Sequence, residues 1–497
     1  MVQKSKYGDR KGVMRLALEN LFGITETDKI LAKLNEFVSA SGMADIEILT
    51  NEIFVFLNSE ERKNIIKSYE YYKNKTDIQD KKRMIGTREL QNRSNVKRQH
   101  PMYRKFVNQK VGYLLSKQPS ITTENEEYQD YLDEIFDSTF RQQLSKIGKN
   151  VILGGETFLY VYFDQSGKIK FKVFDSHTFK AFYGDDERTE IISGVRIYKT
   201  IEYINKQREV VTKVEEYTQQ GINYFELEGN TLIPDVFVNN GHQNYLTIGD
   251  QEYNWPVTPI VPFRYNEEAQ PLLDFVKDGI DIYNRIASSN ADLIIDLPLL
   301  VLILKGYGGA NVEEFVNDLN SALAIKMDSD GGVDTLDSAP NIDAVEKTLE
   351  RIRSELYEAA SAVDMQQAGL GNDSGEKVKM RYADLDVDCN LLEENIQQSF
   401  QKLVELVNMA LKVTTGKDFS GESVTLTLNR DIIINEKDSI EMARSSVGIL
   451  DDKTIRENHP WYIPEVEDRL AEENEPPDED AFNQTFKKVL EDGQEED

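Results

Sequence analysis

Asp384, Asp386 and Asp388, in the stretch YADLDVDCN, are the acids whose type and spacing best suit metal chemistry, because clustered carboxylates gather Mg²⁺ in nucleases and polymerases. On a helix, positions i, i+2 and i+4 spread over more than one face. The favoured reading is therefore solvated acids near a helix start, with a metal-dependent nucleic-acid enzyme as the rival. The four histidines, His100, His177, His242 and His459, pair with no other His or Cys at zinc-ligand spacing. Gly416-Lys417 lacks the earlier glycine and the following Ser or Thr of a phosphate-binding loop. KGYGGANVEEF carries Asn311 where a dinucleotide turn has its third glycine, so a helix capped by Asn311 is expected. Lys326 occupies the first-ligand position of the calcium-like run through Asp328, Asp330 and Gly331. No cofactor or metal is expected, and no enzyme activity.

A different kind of candidate is AGLGNDSGEKVKM, Ala368 to Met380. Gly369, Leu370, Gly371, Asn372, Asp373, Ser374 and Gly375 combine backbone freedom with hydrogen-bonding capacity, and Lys377, Lys379 and Arg381 follow directly. No nucleophile stands beside a base, so the loop reads as mechanical.

Across 497 residues, 58 Lys and Arg face 88 Asp and Glu, a net charge of −30, and the sequence pI is near 4.7. That is the wrong sign for a tight nucleic-acid clamp, since affinity for phosphates comes from Lys and Arg. The length suggests about three structural regions. The single cysteine, Cys389, excludes an intrachain disulfide, fits a reducing compartment and reads as a small core residue. The longest apolar run, Leu297 to Leu304, is far short of the roughly 20 residues a membrane span needs, and no signal peptide is apparent, so a soluble, unexported chain is expected.

Hydrophobic periodicity indicates an α+β scaffold. Residues 11–60 read as short helices, with Ile30, Leu31 and Leu34 at helical spacing. Residues 60–117 read as helical and basic, an expected intersubunit surface. From Glu156 to Phe174, two strands flank Asp164-Gln165-Ser166-Gly167, and Ile169, Phe171 and Val173 alternate with lysines, which is a hairpin with one wet face. Further strands are expected at 191–203, 210–218, 223–228 and 244–248, making 156–265 a mostly antiparallel region. Leu272, Val276, Ile280, Tyr283, Ala287, Ala291 and Ile294 share a helical stripe that Pro298 ends, and PLLVLIL reads as a buried strand. Ile342, Val345, Leu349, Ile352, Leu356, Ala359 and Val363 form a heptad seam that needs a partner helix. Leu385, Leu392, Ile396, Phe400, Leu403, Val407 and Leu411 mark a second long helix over about 382–413. A strand at 424–434, a helix at 440–447, a further helix start at Asp451 and an acidic tail with Pro476 and Pro477 complete the chain.

Four stretches in series, FVNQKVGYLLSKQPSI, GGETFLYVYFDQSGKIKF, VPFRYNEE with VKDGIDIYNRIASSNADL, and GLGNDSGEKVKM, resemble the portal proteins of tailed bacteriophages, of the type found in long-tailed phages of Gram-positive hosts. The resemblance covers roughly 60–460. It implies a structural protein of the capsid vertex, assembled in the host cytoplasm as a homo-oligomeric ring of about twelve copies around a DNA channel. The implied plan is an N-terminal helical extension (1–60), a wing (61–270), a first stem helix (271–297), a clip (298–340), a second stem helix (341–364), a tunnel loop (365–376), a wing helix and strand (377–436), and a crown with an acidic tail (437–497). The implied partners are double-stranded DNA, the terminase, a head–tail adaptor, and major capsid and scaffold proteins, with no membrane. Gly369 to Gly375, Lys377 and Lys379 would line the channel, and Ile342, Val345, Leu349, Ile352, Leu356 and Val363 would form the seam between subunits. An intracellular coiled-coil scaffold is the second rival.

Overall fold

The computed structural model describes residues 46–85, 87–89, 93–185, 188–204, 206–235, 238–248, 251–296, 302–305, 332–335, 342–364, 366 and 375–430, with short pieces between 440 and 462. The chain divides into two compact units, one formed by Met1–Asp364 and Asp384–Asp431, the other by Met365–Ala383 and Ile432–Asp497.

The first unit opens with helices α1 (Ile46–Asn58) and α2 (Glu60–Tyr72); the Ser59 hydroxyl between them accepts from the Arg62 N–H and caps α2. A small hairpin follows, β1 (Met84–Ile85) with β2 (Arg88–Glu89), and then α3 (Met102–Leu115) and strand β3 (Ser120–Thr122). The expected helix over 60–117 is therefore broken in the middle. Pro101 disfavours helical backbone at the preceding residue, and the backbone N–H groups of 94, 96, 98 and 100 find side-chain acceptors on a distant helix instead of carbonyls four residues back.

Helices α4 (Glu126–Ile135) and α5 (Ser138–Gly154) lead into the β region. Asp137 caps α5 by accepting from the Thr139 and Phe140 N–H groups at 2.8 and 3.1 Å. Strands β4 (Glu156–Phe163) and β5 (Ile169–Phe174) form the expected hairpin, its turn held by the Asp164 carboxylate accepting from the Ser166 and Lys168 N–H groups. Strands β6 (Phe179–Tyr183), β7 (Ile191–Ile204), β8 (Gln207–Thr218), β9 (Gly221–Glu228) and β10 (Thr231–Pro234) form an antiparallel sheet in the order β10-β9-β8-β7-β6, with β11 (His242–Gln243) also on β9. After the pair β12 (Leu246–Ile248) and β13 (Gln251–Tyr253), β14 (Ile260–Arg264) pairs with β4, giving the sheet β14-β4-β5.

Leu49, Ile53 and Phe56 of α1 pack on Val195, Ile197, Val214, Phe225 and Leu232 of the larger sheet. Each such buried side chain stabilises by about 1.5–3 kcal/mol, so this helix is an integral layer on the larger sheet.

Helix α6 (Leu273–Asp296) runs close to its expected span, but its buried face differs. Val276, Ile280 and Ala287 are buried, whereas Ile294 is 48 % exposed and the covered positions further along are Asn284, Ser288 and Asp292. Strands β15 (Leu302–Lys305) and β16 (Gly332–Thr335) pair antiparallel. Residues 306–309 of KGYGG and the run 328–331, between these strands, lie outside the described residues. Helix α7 (Ile342–Ala359) packs on α6, where a Cβ at Gly279 would lie 2.7 Å from Leu356 Cδ2, so a larger residue there would have to displace that leucine. Val363 stands beyond the end of α7 instead of on it, past Ser361 with its φ of 45°.

Helix α8 (Gly375–Thr415) starts earlier than its apolar stripe indicates. Within the first unit, Leu385, Cys389, Leu392, Ile396, Phe400, Leu403, Val407 and Leu411 are all buried, as their spacing predicts. Phe400 meets Phe136 at a ring separation of 5.3 Å, and Phe136 stacks on Phe171. Strand β17 (Thr425–Thr427) pairs with β3. In the second unit, α9 (Asp452–Glu457) starts at the expected place, its Thr454 N–H donating to Asp451. Residues 1–45, 369–374 and most of 431–497 lie outside the described residues. No helix among the described residues is long and apolar enough to cross a membrane.

Candidate functional site

Helix α3 presents Tyr103, Phe106, Val107 and Leu114 to the core, and Lys110 sits on that same face with no exposure at all. A buried ammonium must be paired. Lys110 Nζ donates to Asp388 Oδ2 at 2.7 Å and to the Ser361 carbonyl at 3.3 Å, and the Tyr265 hydroxyl donates to the same carboxylate at 2.9 Å. One turn of α3 thus touches the chain on both sides of residues 365–376. On the N-terminal side the Gln109 side-chain amide embraces the Val363 backbone, donating to its carbonyl at 3.2 Å and accepting from its N–H at 3.0 Å. Arg353 grips Asp364 through two donors at 2.5 and 2.8 Å, and that bond is the main reason its guanidinium pKa is raised. On the C-terminal side, Tyr113 donates to Asp386 at 2.6 Å, and Arg430 bridges Asp386 and Glu393 at 2.9 and 2.5 Å. Burial, then the Asp386 carboxylate, raises the Tyr113 hydroxyl pKa. Burial pushes the Cys389 thiol up to about 12, so it is not an available nucleophile.

This arrangement revises the reading of the three aspartates. Asp384 is exposed, whereas Asp386 and Asp388 are partly exposed and ion-paired with Arg430 and Lys110. Folding brings cations to them from positions 44 and 278 residues away, which local spacing does not reveal. Among the described residues no group of three His, Cys, Asp or Glu could hold a metal ion.

A second cluster binds the segment 76–100 along α6. Lys81 Nζ and the Val96 N–H reach the two oxygens of Asp292 at 2.5 and 2.6 Å. Arg83 and the Ser94 N–H reach Asp296 at 2.5 and 3.2 Å. The Arg98 N–H donates to the Ser288 hydroxyl at 3.0 Å and the His100 N–H to Asn284 Oδ1 at 3.1 Å. Nearer the start of α6, Lys277 joins Asp77 and Asp281, and Tyr71 donates to Asp281. Lys81 and Arg83, expected on an intersubunit surface, are therefore neutralised within the chain. The only sequence signal for this strap is the i, i+4 polar run Asn284, Ser288, Asp292 and Asp296.

Of the expected seam, Ile352, Leu356 and Val363 are buried by the chain itself. Ile342 is 42 % exposed, and Val345 and Leu349 are half-buried, so these three keep surface that a neighbour could cover. Gly375, Lys377 and Lys379 fall in the first turns of α8, and Gly369, Leu370, Gly371, Asn372, Asp373 and Ser374 lie outside the described residues.

Residues 57–480 match the family described as "Phage portal protein, SPP1 Gp6-like". The portal protein of Bacillus phage SPP1 is 29 % identical over 459 residues, covering 90 % of each chain. The portal protein of Clostridium phage phiCD119 is 24 % identical over 433 residues, covering 83 % of this chain and 93 % of its own. A match of that extent makes the chain a member of the phage portal protein family.

Proposed function

We propose that copies of this chain close into a ring of about twelve subunits at one capsid vertex, through which double-stranded DNA is packaged and later ejected. In this reading the terminase motor and a head–tail adaptor dock on the ring, and major capsid and scaffold proteins surround it. Helices α6 and α7 form the stem, β15 and β16 belong to the clip, and residues 365–376 project toward the DNA as a tunnel loop.

The observation that carries the reading is the anchoring, in a portal-family chain, of the two segments that flank residues 365–376. Gln109, Lys110 and Tyr113, within one helix, fix residues 361–363 and 386–388. A glycine-rich segment tied at both ends is suited to bear on a passing duplex without carrying the ring's own stability. The net charge of −30 suits passage, because few neutralised phosphates mean little affinity for translocation to overcome. Screening confines the repulsion to about 8 Å of the wall at physiological salt.

Deleting Gly369 to Ser374 is the direct test: rings still form, and DNA packaged per head falls in a packaging assay. Unchanged packaging removes the loop from the mechanism. Negative-stain imaging of the purified chain tests the ring itself, and a dimer near twice 57.0 kDa would favour a coiled-coil scaffold instead. Leu349→Asp should block ring formation, whereas normal rings would place that part of α7 in solvent.

A further inference from the structure

Helix α6 carries surfaces of opposite charge on its two flanks. Gly279, against which Leu356 of α7 packs, and Ser288, which holds the strap, are nine residues apart; that is about two and a half turns, which puts them on opposite faces. On the strap side Lys82, Arg93 and Arg98 are exposed, and their side chains form no ion pair among the described residues. On the α7 side Asp343, Glu346 and Glu350 are exposed at steps of three and four along one flank, likewise without ion pairs among the described residues. Beside that flank, Ile342, Val345 and Leu349 are only partly covered.

A ring contact is heterologous: it joins two different surfaces that face opposite ways on the same subunit. We propose, resting on the ring reading, that the exposed cations of the strap in one copy pair with the acidic flank of α7 in the next. In a chain of net charge −30, copies repel as whole bodies, and a local patch of the other sign both offsets that repulsion and fixes which sides meet. The strap's own ion pairs serve the same end. Lys81 and Arg83 fix the segment to Asp292 and Asp296, and so hold the remaining cations in place.

Two charge-reversed chains test this, Arg93→Glu with Arg98→Glu, and Glu346→Arg with Glu350→Arg. Each alone should show a ring population lowered by about tenfold or more in native mass spectrometry, since both of its contact surfaces then carry one sign. Thermal unfolding of each isolated chain should stay near the parent value, because none of the four side chains is buried. Mixed in equal amounts the two should recover rings of alternating composition, because every contact again joins opposite charges. Rings from each variant alone at the parent yield overturn the inference and leave the ring reading intact. Normal rings from the first variant with less DNA retained would also overturn it, and assign the strap to phosphates. A parent chain that forms no ring removes the ring reading, and this inference with it.

Discussion

The Lys110 anchor and the strap on α6 both use cations from the segment between α2 and β3 to hold aspartates on long helices, yet they distribute the task differently. The anchor converges on one fully buried ammonium, Lys110, which serves the Ser361 carbonyl and Asp388 at once. The strap spreads over Asn284, Ser288, Asp292 and Asp296, which together receive backbone N–H groups at 94, 96, 98 and 100 as well as two cations. A convergent contact fixes one point rigidly and fails as a unit. A distributed one fixes a length of chain, and the loss of one member leaves the others engaged.

The largest expected effect comes from Asp388→Asn. It leaves Lys110 charged and buried without its counter-ion, which should cost about 3–5 kcal/mol, read as a fall in the urea midpoint. A loss smaller than that of the equivalent change in the strap would break the contrast. Asp292→Asn should cost about 1–2 kcal/mol. Lys81 is left without its carboxylate, but the neighbouring bonds persist. Hydrogen exchange should accelerate locally over residues 94–98, and an effect spread over the whole first unit would show the strap to be no more forgiving than the anchor.

The smallest effect is a pH dependence. Burial opposes ionisation of Asp296, but the Ser94 N–H and side chain and the Arg83 guanidinium outweigh it and hold this carboxyl below the usual range. A folded pKa below the unfolded one gives stabilisation that is complete above about pH 4 and is lost as pH falls through the folded value. The difference in thermal midpoint between the parent chain and Asp296→Asn should therefore narrow as pH drops below about 4. A difference that stays constant down to pH 3 would mean that the bonds at Asp296 do not depend on its charge.

Much of the scaffold was legible as periodicity. The α8 stripe from Leu385 to Leu411 and the β4–β5 hairpin follow from apolar spacing and turn residues that act over short stretches of chain. The anchor was not legible. Lys110 occupies a core position of α3 and reads as part of a basic helix until Asp388, 278 residues on, is brought beside it. The strap was hidden for a similar reason, because nothing local tells that a backbone between 94 and 100 will take its acceptors from a helix near 290. Ile352 and Leu356 illustrate the opposite limit. Their heptad spacing correctly demands a covering helix but does not say whether it comes from the same chain, and here α6 supplies it.

The sequence by itself determined the α+β character, the long amphipathic helices, the glycine-rich break before α8 and the acidic balance, because these depend on residue type and on periods of two or 3.6. Only the tertiary structure decided which charges are neutralised within the chain and which remain on its surface, because pairing energies depend on distance and burial, and neither is written in local spacing.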